Sequence, residues 1–272
     1  IEFYRPLIRR MVIEVLQYLR TDARIALDRQ VTFVPDLLNG FGAVNARNIG
    51  TNYVVVVGPS RTRQPPMGGL RHEYLHFLLD PLVVKYRGRL PDPEPFLKSA
   101  REQPHAVALY GEDFLIMLTE SLIKALELGL ARESSEHATA LLIENYEQGL
   151  ILVPYFLEAV ERFEKGTESF QEFFPGVIDG IRWDREGGRK GAMAALRNEL
   201  QARADQRRTT ESSQERIQDE IRGWLSNANR HLLAKEFEQA KSHLERVLDK
   251  DPGNPNALFG MAQIASHDQD LD

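Results

Sequence analysis

Residues 71–80 read Arg-His-Glu-Tyr-Leu-His-Phe-Leu-Leu-Asp, and His72, Glu73 and His76 have the spacing that metal-assisted hydrolysis requires. On a helix, positions i and i+4 lie one above the other, so both imidazoles leave the same face and can hold one ion. Glu73 is turned about 100° around the wheel from His72. A carboxylate there stands beside the ion and can take a proton from water. Asp80, one turn beyond His76, is too close in sequence to be an easy third ligand. It is placed to accept a hydrogen bond from a ligand imidazole and fix its tautomer, or simply to end the helix as Asp80-Pro81.

The surrounding residues support a helix. Leu70, Tyr74, Leu75, Phe77 and Leu78 fall on one broad apolar arc, while His72, Glu73, His76 and Asp80 share the other side. Gly68-Gly69 precedes this run and Pro81 is expected to close it. Such a helix buries its back and turns two imidazoles and two carboxylates toward a cleft.

These residues resemble the HExxH signature of the zinc metallopeptidases, the zincins. The resemblance implies a catalytic zinc, Glu73 as general base and a third protein ligand. The metzincin pattern continues with Gly and then His, but positions 79 and 82 are both Leu; Val83 stands where the aspzincin pattern needs Gly. What remains is similar to the gluzincins, in which a Glu from a later helix completes the site. Residues 112–130 form the best such helix, with Phe114, Leu115, Leu118, Leu122, Ala125 and Leu126 on its apolar arc. Glu120 sits mid-helix on the opposite side and is the expected third ligand. Its plain alternative is a solvated glutamate paired with Lys124. Glu127, Asp113 and His105 are the other ligand candidates. The resemblance also implies an oxyanion donor from a later helix. Tyr146, in the polar break Glu144–Gly149, is chosen over Tyr155 and His137, against the bland reading of a half-buried packing tyrosine.

The expected fold class is α+β and mostly helical: a zincin-like domain with a small mixed or antiparallel sheet and an active-site helix. Asn52–Gly58 is the strongest strand signal, and the resemblance places it as the edge on which an extended substrate pairs. Four consecutive valines suit a plain core strand equally well. Val31–Val34 and Phe41–Asn45 look like weaker strands about a turn at Leu38-Asn39-Gly40. Residues 6–28 and 134–165 read as helices, the second bent at Pro154. Residues 81–111, with Pro91, Pro93, Pro95 and Pro104, read as loop.

Three segments are expected: residues 1–181 as the metal domain, 182–220 as a charged helical linker, and 221–272 as a repeat. Ile221–Asn254 is similar to one tetratricopeptide repeat, a helix-turn-helix unit of about 34 residues. Trp224, Ala228, Ala240, Leu244, Val247 and Pro252 stand at its marker positions, while Asn227 and His231 depart from the usual Leu and Tyr. From Pro255, the residues Leu258, Met261, Ala262 and Ala265 restart the first-helix pattern. The resemblance implies a protein partner for this segment.

Composition narrows the reading. The net charge of −6 argues against nucleic acid or an anionic membrane, and no apolar run is long enough to span a bilayer. With no cysteine, a metal must rely on imidazole and carboxylate. The chain begins with Ile, which fits removal of a leading segment and favours an exported location over a cytoplasmic one. The function expected is a zinc-dependent peptide hydrolase with Glu73 as general base. The alternative is a repeat-type protein-binding scaffold carrying a degenerate metal domain or one that acts on something other than peptides.

Overall fold

The computed structural model describes residues 4–21, 29–50, 52–62, 64–131 and 135–269, with side chains to residue 266. The described residues are mostly helical, with one small three-stranded sheet among them. Contacts divide the chain into two units, residues 1–198 and 199–272.

In the first unit, helix α1 (Tyr4–Tyr18) precedes strands β1 (Gln30–Pro35), β2 (Val44–Ile49) and β3 (Asn52–Val57). The sheet order is β1-β3-β2, with β3 parallel to β1 and antiparallel to β2. The sheet is therefore mixed. Two strand expectations need correction. β3 is the central strand and not a substrate edge, because its backbone is bonded on both sides, while Tyr53, Val55 and Val57 on one face are buried. Nor do β1 and β2 form a hairpin. The segment between them runs across the end of β3, where Asp36 N donates to Val57 O and Gly58 N to Ala43 O. Gly58 is required there, since a Cβ would lie 2.1 Å from the Gly40 carbonyl oxygen.

Helix α2 (Met67–Tyr86) carries the HExxH residues and buries Leu70, Tyr74, Leu75 and Phe77. Gly69 lets it sit against β2, because a Cβ there would press on Val44 Cγ2 at 2.8 Å. Pro81 does not end the helix as expected; it lies inside it. A proline lacks the N–H that would bond the carbonyl four residues back, here that of Phe77. Arg29 Nη1 donates to that oxygen at 3.0 Å, with its guanidinium over the Phe77 ring, so the freed acceptor is satisfied.

The stretch read as loop contains α3 (Glu94–Arg101) and α4 (Ala108–Glu112), its prolines falling before or in the first turn of α3 and between elements. Then come α5 (Phe114–Ala131), α6 (Ser135–Glu147), α7 (Val153–Lys165) and α8 (Phe170–Asp179). The helix expected over 134–165 is two helices, broken at Gly149 (φ +101°), with Pro154 in the first turn of α7. Likewise α1 stops at Tyr18, followed by Arg20 at φ 49°; the rest of that expected helix, 22–28, lies outside the described residues. Buried side chains of α2, α5 and α7, among them Leu75, Met117, Leu122, Phe156 and Phe163, form the core that holds the polar face of α2 beside α5.

After α9 (Trp183–Glu186), helix α10 runs from Arg189 to Leu233. Its start is anchored within the first unit: Glu186 is buried against Arg189, which also reaches Glu158 of α7 at 2.7 Å. The second unit continues with α11 (Phe237–Lys250) and α12 (Pro255–Gln269). Ile221, Ala228, Ala240, Leu244, Val247, Ala257 and Ile264 make its own small core. Small residues bring the helices together: a Cβ at Gly260 would touch Leu244. On α12 the buried line is Ala257 and Ile264, with Met261 half-buried, while Leu258, Ala262 and Ala265 are exposed. Those three would meet a following helix in a repeat array, and among the described residues none follows.

Candidate metal centre

Packing α2 against α5 brings three side chains of opposite origin to one point. His72 Nε2 and His76 Nε2 lie 3.2 Å apart, as the i, i+4 spacing demands. Glu120, from the middle of α5, places Oε1 3.2 Å from His76 Nε2 and Oε2 3.5 Å from His72 Nε2. One ligand atom from each residue can be chosen so that all lie within 4.8 Å of one another. A tetrahedral zinc with bonds of about 2.0–2.1 Å has ligand atoms on the order of 3.3 Å apart. The observed edges match that figure.

The outer ring nitrogens are also occupied. His76 Nδ1 lies 2.9 Å from Asp80 Oδ1, and His72 Nδ1 lies 3.1 Å from Glu127 Oε1. An ionised carboxylate can only accept, so each Nδ1 carries a proton and donates it. In the neutral rings this turns both Nε2 lone pairs inward, toward each other and toward Glu120. Three acceptors at such distances repel unless a cation or protons sit among them, and two imidazoles with one carboxylate are a donor set that fits a metal. Asp80 makes its contact to His76 from one turn further along the same helix. Glu127, weighed from the sequence as a rival ligand, orients His72 instead and is itself bound by Lys124 Nζ at 2.9 Å. Lys124 thus pairs with Glu127 and leaves Glu120 to the histidines.

The electrostatics follow. Burial disfavours the His76 imidazolium, but carboxylates at both of its ring nitrogens, Asp80 and Glu120, outweigh it and push His76 up to about 10. Burial acts to raise Glu120 as well, yet its hydrogen bond to His76 and the charge of His72 hold its carboxyl below the usual range. Glu127 is lowered too, with burial overcome by His72 and Lys124.

Glu73 makes a different contact. Tyr53 of β3 donates its hydroxyl to Glu73 Oε2 at 3.1 Å, and among the described residues Oε1 has no hydrogen-bond partner. Burial, together with the charges of Glu73 and Asp80, raises Tyr53 above the ordinary phenol range and keeps it a donor. Nothing in the sequence pairs Tyr53 with Glu73 except that the strand immediately precedes the helix.

The remaining candidates separate. Tyr146 is buried in the core, where burial and the charge of Glu186 push it up to about 12. From the same helix Glu144 and Asn145, with Gln148 just beyond its end, line the cleft beside His72, a space of about 510 Å³ that also includes Arg71, Lys124 and Glu127. Tyr146, expected as the oxyanion donor, takes the place of a packing tyrosine, because its position on α6 turns it toward the core. The Tyr155 hydroxyl is used on the Val177 carbonyl, and His137 is exposed on the first half of α6. Asp113 caps α5 through the amides of Leu115 and Ile116, and His105 is exposed. The tyrosine that sequence reasoning missed is Tyr110 on α4, half-buried and raised by burial and by the nearby charge of Glu120. It lies in the stretch read as loop, and its spacing gave no signal.

A tetratricopeptide-repeat family model matches residues 231–272, starting inside the unit expected at Ile221–Asn254. The match lies wholly within the second unit and suggests a protein partner. No curated protein and no solved structure matches the chain.

Proposed function

We propose that the first unit is a zinc-dependent peptide hydrolase of the gluzincin kind, with His72, His76 and Glu120 as ligands and Glu73 as general base. The observation that carries this reading is the triangle of inward-facing acceptor atoms with edges of 3.2, 3.2 and 3.5 Å. Zinc bound there would supply the Lewis acidity that activates water and polarises a carbonyl. Glu73 then takes the proton from the attacking water and returns it to the leaving amine. Tyr53 holds one oxygen of that carboxylate and leaves the other for the proton. Tyr110, half-buried and raised by burial and by the nearby charge of Glu120, is our choice for the oxyanion donor. The outer edge of β2, beside the start of α2, is where an extended peptide backbone can add to the sheet.

The test starts from chelator-treated full-length protein. Zinc titration is expected to reach about one ion per chain, and the loaded protein is expected to cleave members of a fluorogenic peptide library. Glu73→Gln should keep the zinc and lose nearly all cleavage. Hydrolysis that survives this change, or failure to take up zinc, sinks the proposal. A second reading, a protein-binding scaffold with a silent metal domain, is favoured by the repeat match alone. Zinc uptake without cleavage of any peptide would support it.

A further inference from the structure

A cavity of about 640 Å³ opens between the first half of α1 and the helix-facing side of the sheet, and it shares no lining residue with the metal centre. Its walls are Tyr4 and Ile8 of α1 and Val31, Phe33 and Val57 of the sheet. The sheet register shows why the space is anomalous. Val31 pairs with Tyr53 and Phe33 with Val55, on the side of the sheet that faces the helices. Tyr53 and Val55 are buried, yet Val31 and Phe33 stay only half-buried because α1 does not close over them. Met11 and Val15 on its second half are buried, while Ile8 is not fully covered. Apolar surface of this kind left open to water is the feature a ligand can relieve.

The rim is cationic. Arg5 and Arg9, four residues apart on one face of α1, line the opening and are exposed. Among the described residues neither makes an ion pair or a hydrogen bond, whereas Arg10 pairs with Glu14, Arg89 with Asp179 and Arg101 with Glu94. The first turn of α1 holds no acidic residue, and cations near a helix N-terminus oppose its dipole. An anion between the two guanidiniums would remove both penalties.

We propose that this cavity binds a single-chain amphiphile with one carboxylate head, a fatty acid of about twelve carbons, a size suited to a site within the roughly 300–1,000 Å³ range of small-ligand pockets. Its chain lies over Ile8, Val31, Phe33 and Val57, and its carboxylate is held by Arg5 and Arg9 in charge-assisted hydrogen bonds.

Titration of the full-length protein with dodecanoate, below its aggregation threshold, tests this. The expected result is saturable binding of one molecule per chain. Dodecanol should bind roughly tenfold more weakly, the loss of a charge-assisted contact, and the Arg5→Ala/Arg9→Ala double variant should lose roughly as much for dodecanoate. Both arginines are exposed, so the double variant tests the head without disturbing the core. Ile8→Trp, which fills the cavity, should abolish binding. Absence of saturable binding overturns the proposal. So does equal affinity for dodecanol, or indifference to the arginine change. Sedimentation at the same protein concentrations supplies one further outcome: a dimer broken by Ile8→Trp would make this face an interface between copies and overturn the ligand site.

Discussion

The Nδ1 atoms of His72 and His76 are each held by a carboxylate, but the two carboxylates come from different distances along the chain. Asp80 reaches His76 at 2.9 Å from one turn further along the same helix, whereas Glu127 reaches His72 at 3.1 Å from the facing helix α5. Glu120 and Glu127, two turns apart on α5, therefore meet the His72 imidazole on opposite ring nitrogens, while Glu120 alone also reaches His76.

This arrangement predicts a ranking. Glu120→Ala removes the proposed third ligand and should weaken zinc binding most. Glu127→Gln and Asp80→Asn leave the ligands in place but loosen their orientation, which typically costs about 10–100-fold in metal affinity. Competition against a chromogenic chelator measures all three. Glu127→Gln matching or exceeding the loss at Glu120→Ala would reverse the two roles.

Tyr53→Phe isolates the contact to Glu73. Zinc affinity and KM are expected to stay unchanged, since Tyr53 touches no ligand nitrogen, while kcat falls by roughly tenfold, about 1.4 kcal/mol of barrier. A fall in zinc content instead would make Tyr53 a structural support of α2. The cost to stability is expected to be about 1 kcal/mol, one hydrogen bond.

Metal uptake should depend on pH with a definite sign. In the metal-free protein His76 is lifted from about 6.5 to about 10 by Asp80 and Glu120. A raised folded value stabilises the protein fully below the unfolded one, and that contribution is lost as pH rises toward 10. Zinc must displace the same proton. Its apparent affinity should therefore rise between pH 6.5 and 10, with proton release on binding. Calorimetry in buffers of different ionisation enthalpy measures the released proton. A flat profile would place the proton elsewhere.

Gly58→Ala tests the loop that crosses the end of β3. The added Cβ would lie 2.1 Å from the Gly40 carbonyl oxygen, so the segment joining β1 and β2 must move. Overpacking of this kind costs about 2 kcal/mol, a drop in Tm of about 4–8 °C for a unit of this size. Thermal unfolding followed by circular dichroism is the measure. Gly68→Ala, where a Cβ meets nothing within 4 Å, is the control in helix α2 and should leave Tm unchanged or raise it slightly.

Local pattern was enough to read several features from the residues alone. The i, i+4 histidines, the carboxylate beside them and the apolar arc of α2 are properties of one helix, and 3.6 residues per turn fixes which side chains share a face. The same period picked out α5 and put Glu120 on its polar side, and the small residues Ala228 and Ala240 marked the close helix packing of the second unit. Asp80 could be placed behind His76 for the same reason.

Folding in three dimensions decided the rest, because those relationships join residues that no local period connects. Whether Glu120 or Glu127 met the inner nitrogens depended on how α5 slides along α2, a matter of core side chains such as Met117 and Leu122. Tyr146 fell on the buried side of α6 with Ile143 because that face of the helix packs on the core, which the polar residues around it in sequence do not show. Pro81 stayed inside α2 because Arg29, distant in sequence, satisfies the carbonyl it frees. β3 became central because backbone pairing is non-local, and an apolar run carries no record of how many neighbours its N–H and C=O groups will find.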